Sequence, residues 1–297
     1  MSGPLRERLL REVVLCDGAI GTTLQRAGLP AGHCAEEWNL TNPEAVAAAH
    51  RGYVEAGAQV LQTNTLCANR IGLSRYGLGD RTAEINAAAV KIALGEAGQG
   101  RCVLATVGPL GRLVEPWGDV KPEEASSAFS EQMQGQLDAG AHGVIIETFG
   151  VIEEIVIAVR AAREAGAPNI VCTMSFEGGG RTFMGVTPTQ AIDTLREAGA
   201  DVVGANCGGG PAEILAAVQE MHEVAPAEPL VAQPNAGKPR LVSSETAFGV
   251  TPEVMSFYVP AFLEAGVRLL GACCGSTPAH LRAMASAVAQ QTTEASR

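Results

Sequence analysis

Short apolar, β-branched runs return along this chain at intervals that each leave room for one amphipathic helix. They cover residues 13–16, 59–63, 102–107, 143–147, 170–175, 201–206, 229–233 and 267–272. The stretches between them begin near Asn42-Pro43-Glu44, Arg81, Lys121-Pro122-Glu123, Ile152, Thr187-Pro188, Gly210-Pro211, Thr251-Pro252 and Thr277-Pro278. Proline in a first helical turn costs no hydrogen bond, and a preceding Thr or Asn caps the helix. Several helices close on Ala-Gly before the next strand, as at Ala56-Gly57, Ala139-Gly140, Ala198-Gly199 and Ala265-Gly266. Glycine there supplies the left-handed residue that ends a helix. Strands joined through helices need parallel neighbours. Eight such units without a linker or composition break predict an α/β fold, one closed (βα)8 TIM barrel. The reading gives a single domain over residues 1–297 with a short polar tail at about 290–297. An open doubly wound sheet is the structural rival.

Composition agrees. Hydrophobic residues make up 46% of the chain and aromatics only 4%, a Val, Ile, Leu and Ala core suited to parallel strands buried on both faces. The balance of 21 Lys and Arg against 32 Asp and Glu, a net charge of −11, has the wrong sign for a surface that tracks phosphates. Nucleic acid is excluded as a partner on that ground. No apolar run approaches the ~18 residues of a membrane span, and Met1-Ser2-Gly3-Pro4-Leu5-Arg6-Glu7-Arg8 lacks the apolar core of a signal peptide. The chain reads as cytoplasmic and not membrane-bound. Its eight cysteines are too sparse for a disulfide scaffold. Cys16, Cys102 and Cys172 fall in apolar strands and read as small buried hydrophobes, whereas Cys34 and Cys67 fall in loops and are left open.

A barrel collects its chemistry at the C-terminal ends of its strands, and the polar motifs fall there. Asp17-Gly18, Thr63-Asn64-Thr65, Gly108-Pro109, Glu147-Thr148, Asn206-Cys207, Pro234-Asn235-Ala236-Gly237 and Cys273-Cys274-Gly275 each follow a predicted strand. Segments 22–40 and 238–248 are long loops on the same face, suited to act as lids. Cys207 with Cys273 and Cys274 offers three thiolates but no fourth protein ligand at the spacings of a structural zinc, which describes a catalytic Zn²⁺ site with an open position. Adjacent cysteines point to opposite sides of a strand, so sharing one metal requires a bend at Gly271 or Gly275. An electron-rich tri-thiolate zinc suits a substrate thiol better than water. Asp17 and Glu147 are placed to hold an ammonium group, and the amides of Gly18-Ala19-Ile20-Gly21-Thr22 to receive a carboxylate. Each acid taken alone is as readily a solvated or capping carboxylate. His33, His50, His142, His222 and His280 share no ligand spacing and read as surface or packing residues. The glycine runs 178–180 and 208–210 lack the P-loop Lys-Ser/Thr, and Trp38 and Trp117 are too few for an aromatic cage.

Taken together, Asp17-Gly18-Ala19-Ile20-Gly21-Thr22, Gln62-Thr63-Asn64-Thr65, Glu147-Thr148-Phe149, Asn206-Cys207, Pro234-Asn235-Ala236-Gly237 and Cys273-Cys274-Gly275 resemble the zinc-dependent homocysteine S-methyltransferases over nearly the whole chain. The resemblance implies zinc on Cys207, Cys273 and Cys274, homocysteine held through Asp17 and Glu147 near its ammonium, and Asn235 in the fourth zinc position until the thiol displaces it. Glu36-Glu37-Trp38-Asn39-Leu40-Thr41-Asn42-Pro43 looks most like the homocysteine domain of cobalamin-dependent methionine synthase. That likeness implies methylcobalamin carried by a partner corrinoid protein, or by domains missing here, as the methyl donor. S-methylmethionine or betaine, used by stand-alone relatives, is the alternative donor. Outside that class stand a non-catalytic zinc or corrinoid-partner module and a redox enzyme using a Cys273-Cys274 disulfide.

Overall fold

The computed structural model describes residues 5–242 and 245–295. The first four residues, positions 243–244 within the predicted second lid and the last two residues of the predicted tail lie outside the described residues. Eight parallel strands form the barrel: β1 (Val14–Leu15), β2 (Val60–Gln62), β3 (Cys102–Val107), β4 (Val144–Phe149), β5 (Ile170–Met174), β6 (Val202–Cys207), β7 (Leu230–Pro234) and β10 (Val267–Leu270). Their order is β1-β10-β7-β6-β5-β4-β3-β2. A parallel bridge between Cys16 and Val60 brings the two ends together, with Asp17 N–H donating to Val60 O at 3.0 Å and Gln59 N–H to Leu15 O at 2.8 Å. The rival open sheet is thereby excluded.

Side chains pointing inward fill the barrel with Val14, Cys16, Val60, Cys102, Leu104, Ile145, Val171, Val202, Val231 and Leu269. Outward residues, Cys172 among them, pack against the surrounding helices. Cys16, Cys102 and Cys172 are all buried, as a thiol behaving as a small hydrophobe should be. A short helix not foreseen from the sequence, Leu5–Leu9, adds Leu5 and Leu9 to the interior cluster. It is fastened by Leu5 N–H to Asn169 Oδ1 at 2.6 Å and by the Arg6–Glu228 ion pair at 2.8 Å.

Thr-Pro and Asn-Pro starts hold: Pro43–Glu55, Pro188–Ala198 and Pro252–Phe257 begin at those prolines, with Thr187 and Thr251 capping the latter two. The seventh helical unit is two helices, Pro252–Phe257 and Val259–Glu264, since Pro260 has no N–H to continue the ladder. The expected tail at about 290–297 needs correction, because the last helix runs Pro278–Ala295. Gln290, Gln291, Glu294 and Ala295 are good helix formers, and Thr292 and Thr293 turn their hydroxyls back onto Val288 O and Ala289 O at 3.0 and 2.9 Å. Among the described residues no helix is long and apolar enough to cross a membrane.

Candidate active site

At the C-terminal face, a cavity of about 180 Å³ is lined by the β1 loop from Gly18 to Thr22, Ala35 and Glu36, Gln62 to Leu66, Thr106, Glu147, Gln233, Ala272, Cys273 and Cys274. Its charged lining residues are both acids, Glu36 and Glu147. Segment 22–40 forms part of the wall and is pinned to the rim. Asn64 Nδ2 donates to Ala35 O at 2.7 Å and to Asn39 Oδ1 at 3.1 Å, and Asn39 Nδ2 donates to Asn64 O at 2.8 Å. Segment 238–248 carries an antiparallel pair, β8 (Arg240–Val242) and β9 (Glu245–Ala247). The two undecided cysteines serve the first of these segments: Cys34 S–H donates to Glu36 Oε2 at 3.3 Å and Cys67 N–H to Glu36 Oε1 at 2.8 Å.

The sulfurs of Cys207, Cys273 and Cys274 lie within 4.8 Å of one another. Cys273 and Cys274 leave β10 in a tight turn closed by Ser276 N–H to Cys273 O at 3.1 Å. The third residue of that turn is Gly275 at φ +80°, the left-handed conformation a type II turn requires. The required bend is therefore at Gly275. Gly271 answers a different need: a Cβ there would stand 2.8 Å from Asp17 O, so it permits β10 to press against the β1 end. Cys207 itself is left-handed at φ 55°. Hydrogen bonds from Cys273 and then Cys274 lower the Cys207 thiol strongly. The same bonds to Cys207, followed by burial, raise the other two, Cys274 to about 12. The three thiols thus titrate as one linked group, with Cys207 and its two neighbours moved in opposite directions.

Asn235 lies on the turn after β7, its amide also helping to lower Cys207. Its Oδ1 is buried without a partner. An orphaned amide oxygen beside three thiols fits a metal that takes oxygen as its fourth ligand.

The two acids meet at Gln62. Glu147 lines the cavity, whereas Asp17 is fully buried behind it and accepts Gln62 N–H on Oδ2 at 2.9 Å. With the Gln62 carboxamide oriented to satisfy its neighbours, its nitrogen donates to Glu147 Oε2 and Oε1 at 3.2 and 3.3 Å and its oxygen accepts from Gln233 Nε2. Burial lifts Asp17 to about 8. Burial first, then the nearby Asp17 and Cys207, lifts Glu147 to about 8 as well. Buried acids held near neutrality lack a counter-cation, and an ammonium group would supply it. Gly18 and Ala19 line the cavity too, but the Ala19 N–H is already given to Ser276 Oγ at 3.1 Å. That amide is not free to receive a carboxylate.

Sequence reasoning passed over Arg26 and Tyr53 and the bonds that tie the β1 loop to the cysteine turn. Arg26 donates to Gly275 O at 3.0 Å and Ser276 O at 3.3 Å. Gly275 N–H reaches Thr22 Oγ1 at 3.2 Å, and Tyr53 O–H reaches Ala19 O at 3.1 Å. Nothing in a one-dimensional reading links residues so far apart. Asn206 was read only as the neighbour of Cys207, although its place in a buried polar pair, Asn-Cys, at a strand end marks it as a hydrogen-bonding group. The five histidines stay outside the three-cysteine group.

Fold and site together define a (βα)8 barrel with a three-thiol cluster beside an acidic pocket at the C-terminal ends of its strands. The chain belongs to the homocysteine S-methyltransferase family, whose profile matches residues 14–288. It is 31% identical over 303 residues to methionine synthase of Mycobacterium tuberculosis, covering 96% of this chain and 25% of that protein. The chain therefore spans about a quarter of that relative's length. It is also 31% identical over 301 residues to betaine–homocysteine S-methyltransferase 1 of Rattus norvegicus, covering 94% of this chain and 73% of that protein. The metallated form of the homocysteine methyltransferase MmuM from Escherichia coli superposes with a TM-score of 0.80 at 24% identity, over 96% of this chain and 99% of that one, which establishes the shared fold.

Proposed function

We propose that this barrel methylates the thiol of homocysteine to give methionine, with Zn²⁺ held by Cys207, Cys273 and Cys274, and with Asn235 as the fourth ligand until the substrate thiol arrives. The observation that carries the reading is the three-sulfur group within 4.8 Å, two of whose members, Cys273 and Cys274, stand on the wall of a cavity whose charged lining is acidic. Zinc, when bound, lowers the pKa of a coordinated thiol so that thiolate is present at neutral pH. Glu147, backed by Asp17 through Gln62, takes the ammonium and so aims the thiol end at the cysteines. The substrate sulfur then attacks the methyl carbon; a carbon–sulfur bond forms, and the bond from methyl to donor breaks with its electron pair leaving on the donor. No group of the protein has to remove a proton from carbon.

For the donor, the likeness to methionine synthase supports a methylated corrinoid, on a separate protein or on domains beyond this segment. The likeness to betaine–homocysteine S-methyltransferase supports a second reading, an onium donor. Among the described residues the cavity lining contains no aromatic side chain, which counts against a cage for quaternary ammonium. Two measurements test the proposal. Zinc X-ray absorption should gain one sulfur scatterer when homocysteine is added; an unchanged metal shell leaves the cysteines a merely structural role. Methionine formation from homocysteine should then be assayed with methylcobalamin, methylated corrinoid protein, S-methylmethionine and betaine as donors in turn.

A further inference from the structure

Strand β4 does not run straight to its end. Its pairing with β5 slips between Ile146 and Phe149, and within the slip Thr148 adopts φ 69°. A β-branched residue almost never occupies the left-handed region unless its surroundings force it there. The forcing group is Asn206. Thr148 N–H donates to Asn206 Oδ1 at 2.9 Å, and Asn206 Nδ2 donates to Thr148 Oγ1 at 2.8 Å, so the two residues are locked by a reciprocal pair. The same side chain donates to Glu147 Oε2 at 3.1 Å and accepts from Thr173 Oγ1 at 2.8 Å. Asn206 is fully buried, and with two donated and two accepted bonds its capacity is used.

We propose that Asn206 is the positioning residue for amino-acid recognition: by locking Thr148 in a left-handed bulge and gripping Oε2, it turns the Glu147 carboxylate into the cavity. It contacts neither the incoming thiol nor its ammonium, and its Nδ2 stands 4.0 Å from Cys273 Sγ. Asn206 stands on β6 one residue ahead of Cys207 and acts on the end of β4, so one side chain fixes the spacing between the grip on the ammonium and the cysteine group. The inference rests on the reading that Glu147 holds the substrate ammonium.

The test uses the zinc-loaded chain and two thiols, homocysteine and 4-mercaptobutanoate, which is the same molecule without its amino group. Asn206→Ala removes all four bonds. Asn206→Asp keeps the shape and the acceptor toward Thr148 N–H while deleting the donor to Glu147, and so remains informative where the alanine variant fails to fold. Both should weaken homocysteine binding about 10- to 100-fold, the scale of one lost charge-assisted hydrogen bond. Both should leave 4-mercaptobutanoate binding and zinc content at wild-type values. Equal weakening of the two thiols, or loss of zinc, overturns the proposal. Glu147→Gln serves as the reference. Should it separate the two thiols while the Asn206 variants do not, the grip by Glu147 stands and the role of Asn206 falls. Should Glu147→Gln also fail to separate them, the reading of Glu147 falls and takes the proposal with it.

Discussion

Substituting Gly275→Ala isolates what holds two adjacent cysteines on one side of a turn. The residue sits at φ +80°, where an L-residue costs about 1–2 kcal/mol. The new methyl would also stand 2.1–2.6 Å from three ring atoms of Phe248, an overlap of the kind that costs roughly 1–3 kcal/mol when a packed site is overfilled. Together these predict roughly 2–5 kcal/mol of destabilisation, read from urea midpoints of the chelator-treated protein. Because the turn also aims Cys273 and Cys274, zinc affinity measured by chelator competition should fall with it. Phe248→Ala separates the two causes. In a double-mutant cycle it should restore about 1–3 kcal/mol, the steric share, and leave the backbone share in place. A cycle with no coupling would show that Phe248 is not the obstacle, and wild-type zinc affinity in Gly275→Ala would refute the claim that this turn holds the thiols together.

Cys207→Ala, Cys273→Ala and Cys274→Ala should each lose zinc with the far-ultraviolet dichroism unchanged, since all three lie at strand ends outside the core; unfolding would mean the metal is structural. Asn235→Ala should retain zinc on the three cysteines and alter the resting X-ray absorption spectrum more than the homocysteine-bound one. Homocysteine binding should release at least one proton near neutral pH, that of the thiol, with more from Glu147 or Asp17 on meeting the ammonium, measured by calorimetry in buffers of differing ionisation enthalpy; zero release would sink the thiolate mechanism. His50 is fully buried with both ring nitrogens unpartnered, and burial lowers it from 6.5 to about 4. The unfolded chain therefore takes up this proton first as pH falls, so stability is lost from about pH 6.5 down to about pH 4, on the order of 3 kcal/mol in all. His50→Leu should abolish that loss. Comparing both proteins at each pH cancels Asp17 and Glu147, whose raised values make stability fall as pH rises from about 4 to about 8.

The barrel was legible because its two signals are local: the apolar run of a strand buried on both faces and the Thr-Pro start of a helix. The cysteine trio was legible once strand ends were assigned, since a closed barrel gathers them on one rim. What escaped depends on contacts between distant segments. Gln62 lay in a quoted motif, yet its bridging of Asp17 and Glu147 needs the ends of β1, β2 and β4 gathered on one rim. Asp17 was expected at the pocket wall and lies one layer deeper, because the Gln62 N–H draws its carboxylate inward. The free amides expected after Asp17 were miscounted for a similar reason: Ser276, more than two hundred and fifty positions away, claims that of Ala19. The helix Leu5–Leu9 was missed because five residues carry too little periodicity to declare a helix.

The bonds among Thr22, Arg26, Gly275 and Ser276 lie on the seam where the earliest and the latest strands meet. During synthesis, the segment that would cradle the substrate waits, already made, for almost the entire barrel to follow it out of the ribosome. The pocket is incomplete until residues 272–274 have emerged, so a nascent chain cannot acquire the whole site piecemeal. On the proposed reading, zinc held jointly by Cys207, Cys273 and Cys274 would load only once the last strand has brought its two cysteines to the first.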